Sequence, residues 1–155
     1  MYTPAYIPKN FQLQELVSPN IFNTLQENAW MLLDPELLQT LDNLREFFGY
    51  PMVINDWKNG GQFKERGYRE PSAGVGKCHG AHYVGKAADI DFYEGNQLIP
   101  AQHMRKMILY NKEQFPYIAG CEKGVGWCHI DGLQRNGYQP GMICLFDAQG
   151  GFSWI

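Results

Sequence analysis

From Gly80 to Asp91 the chain reads GAHYVGKAADID, and from Trp127 to Asp131 it reads WCHID. Imidazoles and carboxylates at such spacing can ligate a metal or move protons, provided the backbone brings them to one side. In an extended strand alternate side chains share a face, so Asp89 and Asp91 point one way and Ala88, Ile90 and Phe92 the other. The same parity groups Trp127, His129 and Asp131 opposite Cys128 and Ile130. Two such strands side by side would set His129 against Asp89. With His82 at the end of the preceding loop, two imidazoles and a carboxylate reach the ligand count of a catalytic zinc, whose fourth position stays open. The residues alone equally allow a metal-free network of buried hydrogen bonds.

The elements that must carry these groups are partly legible. DPELLQTLDNLREFFG combines Asp34 as N-cap, Pro35 in the first turn and Gly49 as C-terminal stop, which predicts a helix. Leu37, Leu38, Leu41, Leu44, Phe47 and Phe48 give it an apolar stripe to bury. PMVIND, Pro51 to Asp56, reads as a strand. From Trp57 to Ala81 glycines and scattered charge without period suit a long ordered loop, of the kind that carries function. GKAADIDFY reads as a strand. IPAQHMRKMILYNKEQF reads as an amphipathic helix with Pro100 in its first turn and Met104, Met107, Ile108 and Phe115 inward. YIAGCEKGVGWCHIDGL, GMICLFDA and GFSWI read as strands or hairpin arms. The expected fold is α+β, one domain over 1–155, with a mainly antiparallel sheet, helices packed on one side and residues 1–31 as a wrapping N-terminal segment.

Composition narrows the class. The 155 residues suit one domain; 45% are hydrophobic and 19% charged, which excludes a disordered tail. No apolar run is long enough for a membrane span. A net charge of −3 without a basic run gives no sign of a nucleic-acid or membrane footprint. The N-terminus lacks the pattern of a secretory signal, so the expectation is a chain cytoplasmic as synthesised. Cys78, Cys121, Cys128 and Cys144 show no C-x-x-C pairing and read as free, packed thiols, Cys78 beside the first motif included.

AHYVGKAADI resembles the S-x-H-x-x-G-x-A-x-D-I signature of the zinc peptidases that comprise D-alanyl-D-alanine carboxypeptidases, dipeptidases and phage L-alanyl-D-glutamate endolysins. CEKGVGWCHID resembles the family's second block, an acidic residue followed by W/F-x-H-x-D. FQLQELVSP, LLQTLDNLREFFGYPMVIND and RGYR are similar to the segments leading up to the first histidine, so the likeness runs from Phe11 to Leu133. It implies the small α+β fold shared with the zinc-binding hedgehog domain, with His82, Asp89 and His129 as Zn2+ ligands. Arg69 matches the arginine expected to bind a substrate carboxylate or scissile carbonyl, with Arg66 close by. The implied activity is hydrolysis of a peptide bond in peptidoglycan stem peptides, as carboxypeptidase or endolysin; the expected state is a monomer. A phage-encoded enzyme released to the cell wall or carried in a virion fits the absent signal. The alternative is a catalytically impaired zinc module that binds the wall or serves structure.

Two departures stand out. Gly80 replaces the usual serine, and Gly126 occupies the position, three before the final histidine, where several relatives carry the catalytic acid. Glu122, across the KGVG turn, is the first candidate for a general base, and Asp131 the second, with a bracing role behind an imidazole or arginine as its other reading. Asp91 is expected to brace the site and Trp127 and Tyr83 to wall it. His79 and His103 read as a loop and a helix residue outside the ligand set.

Overall fold

The computed structural model describes residues 4–74 and 80–155; Cys78 and His79 lie outside them. The N-terminal segment makes a single turn at Leu13–Glu15, helix α1 at Pro19–Leu25 and a 3-10 stretch at Gln26–Leu32. Its start is tied to the next helix, where Asp42 accepts from Tyr6 Oη at 2.7 Å and from the backbone N–H groups of Lys9 and Asn10 at 2.7 and 3.0 Å. Helix α2, Pro35–Phe48, begins and ends where its caps require. Asp34 accepts from the N–H groups of Glu36 and Leu37, and Gly49 closes the helix at φ 70°.

Strand β1 is only Met52–Val53, shorter than the expected Pro51 to Asp56. Past it the backbone leaves the sheet: Asn55 donates to the Glu15 carbonyl and Asp56 to that of Phe63. The loop that follows carries isolated 3-10 turns at Trp57–Asn59 and Pro71–Ala73. β2, Ala87–Glu94, turns through Gly95 into the two-residue strand β3, Gln97–Leu98. Helix α3, Ala101–Tyr110, stops short of the expected Phe115, and a 3-10 turn at Lys112–Gln114 completes the segment. Strands β4 (Gly120–Glu122), β5 (Cys128–Asp131), β6 (Cys144–Phe146) and β7 (Phe152–Trp154) follow.

The sheet runs β1-β2-β5-β4-β6-β7, with β3 on β2; every pairing is antiparallel except β4 with β6. Ala88, Ile90 and Phe92 of β2, Cys128 and Ile130 of β5 and Cys121 of β4 join one core with Leu37, Leu38, Leu41 and Leu44 of α2 and Met104 and Ile108 of α3. Both longer helices therefore cover the same face of the sheet. Two expected core residues point elsewhere. Met107 is exposed, because the helix presents Arg105 inward beside Met104 and Ile108, and Phe47 is half exposed, meeting Phe48 and Phe115 edge-on.

Candidate metal centre

On the sheet face away from the helices, the register pairs Asp89 of β2 with His129 of β5, as strand parity requires. His82 sits on a 3-10 turn, Ala81–Val84, closed by Gly85 at φ 70°. A Cβ on Gly85 would run into the Leu32 carbonyl, so the tight turn that delivers His82 admits glycine alone. The loop ahead of this turn is stitched to the site by its backbone: Asp89 N–H donates to the Arg66 carbonyl at 2.8 Å and Arg69 N–H to the His82 carbonyl at 3.2 Å. The sequence gives this loop no period, yet it forms the site's second wall.

His129 Nδ1 lies 2.8 Å and His82 Nε2 3.3 Å from the same oxygen, Asp89 Oδ1. One ligand atom from each of the three residues falls within 4.8 Å of the others, and all three residues are buried. Donors at zinc-ligand distances around a tetrahedral ion stand about 3.3 Å apart, so a metal fits with a small opening of the shorter contact. The remote ring nitrogens are anchored as metal-bound histidines require. His82 Nδ1 is 2.7 Å from the Gly67 carbonyl, which can only accept, so the proton sits on Nδ1 and Nε2 is left as the ligand atom. His129 Nε2 is 3.0 Å from Asp131 Oδ2, which orients Nδ1 toward Asp89.

Asp131 is itself held by four hydrogen bonds from three residues. Arg135 grips both its oxygens, at 2.8 and 2.7 Å, and Leu133 N–H donates at 3.0 Å. Its lone pairs are engaged, so it stands behind His129 and fixes the ring. Burial disfavours charge on His129, but its bonds to Asp131 and Asp89 outweigh this and lift its pKa to about 9. Burial likewise opposes ionisation of the two aspartates and is overcome by their histidine bonds. Asp131, gripped also by Arg135, falls to about 2, and Asp89 lies well below the usual carboxylate range. The proton on His129 therefore competes with any metal for Nδ1.

Arg69 and Arg66 separate cleanly. Arg69 Nη2 is 3.5 Å from Asp89 Oδ2 and bonds the Glu65 carbonyl, whereas Arg66 Nη1 is 2.6 Å from Asp91 and its guanidinium stacks on Phe63. Asp91 thus braces the loop through Arg66. Both arginines line a cleft of about 370 Å³ that reaches Asp89, with Phe63, Glu65 and Trp127 among its walls. Glu65 Oε2 and Trp127 Nε1 are buried there without a hydrogen-bond partner among the described residues. Burial, and after it Glu70, push the Glu65 carboxyl up. Glu65 carries no motif or period in the sequence; its place immediately before Arg66 in the ERGYR stretch is the one signal there.

Glu122 has a definite place. Gly120 pairs with Asp131 and Cys121, a core residue, with Ile130, so strand parity puts Glu122 on the cluster's face of the sheet, where it pairs with Phe146 of β6. Gly126 is exposed with open space around its missing Cβ. His103 is exposed on α3, apart from the cluster. Cys121, Cys128 and Cys144 are free and buried, and burial pushes the Cys128 thiol up to about 12, which leaves it unreactive. No helix among the described residues is long and apolar enough to cross a membrane.

The cluster as it stands is a buried two-histidine, one-aspartate group suited to hold a metal ion at the foot of a cleft. Comparison of the chain with protein-family models, curated proteins and solved structures finds no match.

Proposed function

We propose that this chain is a zinc peptidase acting on peptidoglycan stem peptides, with the hedgehog-like fold of the family it resembles in sequence. The observation that carries the reading is the convergence of His82, Asp89 and His129, each histidine anchored through its other nitrogen, beneath a cleft walled by arginines. His82 Nε2, His129 Nδ1 and an Asp89 oxygen would hold the ion. Zinc bound there supplies Lewis-acid polarisation of a carbonyl and acidification of water.

The protein's own groups complete the chemistry. Arg69, beside Asp89, has the rigid donor fork to bind a scissile carbonyl or a substrate carboxylate. Glu122, on the cluster's face of the sheet, takes the proton of the attacking water and passes one to the leaving amine. Asp131 holds His129 in position, and the free Glu65 oxygen and Trp127 indole N–H offer an acceptor and a donor to a peptide backbone. The substrate is a D-amino-acid-containing stem peptide, the protein works as a monomer, and it is synthesised in the cytoplasm and released to the wall.

Metal content by elemental mass spectrometry, with purified muropeptides as substrate, tests this reading. Near-stoichiometric zinc, lost in His82→Ala, with new amines released by the wild type and not by Glu122→Gln, is the expected result. Zinc without hydrolysis would favour a wall-binding or structural module, to which the missing acid at Gly126 also points. Full activity in Glu122→Gln beside loss in Glu65→Gln would move the base to Glu65.

A further inference from the structure

On the other side of the sheet a second recess, of about 490 Å³, opens between helix α3 and the β4–β5 turn. Gln102, Arg105, Lys106 and Leu109 come from one face of α3, at helical spacing, and Lys123 and Val125 from the turn. Among the described residues, those that line this recess include three cations and no carboxylate, in a chain whose net charge is −3.

Arg105 is the anomaly. It is 6% exposed, yet its described contacts end at one hydrogen bond, from Nη2 to the Val125 carbonyl at 3.3 Å, and Nη1 is buried with no partner. Arg66, Arg69 and Arg135 each meet a carboxylate. A buried cation ordinarily has a counter-charge and each buried donor an acceptor; among the described residues Arg105 has no counter-charge and its Nη1 no acceptor. Lys123 Nζ stands 3.6 Å from Asp147, a partly exposed pair that a stronger anion can compete with.

We propose that this recess binds a phosphate group borne on a small organic molecule. A guanidinium fork with a free N–H and two ammonium groups match the oxygens of a phosphate, and Leu109 and Val125 give the attached organic part an apolar wall. The volume exceeds what a bare anion needs and falls within the range of small-molecule sites. The site shares no residue with the metal centre's cleft and does not depend on the peptidase reading.

The test is a titration of the isotope-labelled full chain, followed by amide resonances, with glucose 1-phosphate, inorganic phosphate and glucose. Both phosphates should move Lys123, Gly124 and Val125, the ester binding more tightly, and glucose should move nothing. Lys106→Gln with Lys123→Gln, two partly or fully exposed side chains whose loss spares the core, should weaken the ester about tenfold. Asp147→Asn, which frees Lys123, should tighten it. Movement confined to Glu65 through Arg69 would put the anion on the other cleft and overturn the proposal. So would unchanged affinity in the double variant, or no movement at about 10 mM ester, where even a millimolar site is mostly filled. Inorganic phosphate binding as tightly as the ester would overturn the organic part of the assignment.

Discussion

The two faces of β2 are buried almost equally and held together by opposite means. Ala88, Ile90 and Phe92 are 0–1% exposed against helices α2 and α3, while Asp89 and Asp91, one residue out of step, are 6 and 7% exposed against histidines and arginines. On the first face removal of hydrocarbon from water stabilises the fold at about 25 cal/mol per Å². On the second, burial by itself is unfavourable and is offset only because each charge meets a partner. A one-residue step along a strand thus separates the apolar groups that drive folding from the titratable groups that could hold a metal ion.

The largest expected effect breaks the apolar face alone. Phe92 is 1% exposed and lies edge-on to Phe48 at 6.5 Å between ring centres. Phe92→Ala should cost about 3–5 kcal/mol in denaturant unfolding through the cavity it leaves. Zinc uptake by the fraction still folded should be unchanged, since Phe92 packs in the apolar core, on the opposite face of β2 from Asp89. Loss of the metal at full folding would show that the two faces are not separable.

pH should expose the polar face next, in protein stripped with a chelator. His129, at about 9 against an ordinary 6.5, binds its proton more tightly when folded, so its contribution is complete below 6.5 and fades as pH rises through 9. Asp131, at about 2 against 3.8, contributes fully above 3.8 and loses this as pH falls through 2. Chelated protein should therefore be most stable between these limits and lose on the order of 2–3 kcal/mol toward pH 9 to 10. Zinc should flatten the alkaline fall, because the metal replaces the proton on Nδ1. An alkaline fall of equal size in both forms would remove His129 as its source.

Asp131→Asn sharpens the comparison further, because it keeps the shape and removes the charge behind His129. Zinc affinity should drop about 10–100-fold, measured by competition with a chromophoric chelator. An unchanged affinity would mean that Arg135 and Asp131 serve folding only.

How much of this was legible in the chain follows the same division. Parity along GKAADIDFY and WCHID separates the two faces without any structure, because a period of two is a local property. The ends of α2 were legible for the same reason, Asp34, Pro35 and Gly49 being local signals. The short β1, the inward Arg105, the outward Met107 and the half-exposed Phe47 were not, since each depends on where a distant element stops. The loop carrying Glu65, Arg66 and Arg69 was the hardest case. Its conformation is set by bonds such as His82 to the Gly67 carbonyl and Asp89 N–H to the Arg66 carbonyl, and neither leaves a trace in periodicity.

The smallest effect tests whether the polar face is one site or two. Asp91 and Asp89 share the face, but Asp91 bonds Arg66, which stacks on Phe63, and it lies outside the group of metal donors. Asp91→Asn keeps an acceptor for Arg66 and should cost about 1 kcal/mol of stability. Zinc content should stay at the wild-type level, while binding in the cleft should weaken as the Phe63–Arg66 wall loosens. If zinc were lost along with stability, Asp91 would belong to the metal centre, and the polar face would be a single cooperative network in which bracing and ligation cannot be assigned to different residues.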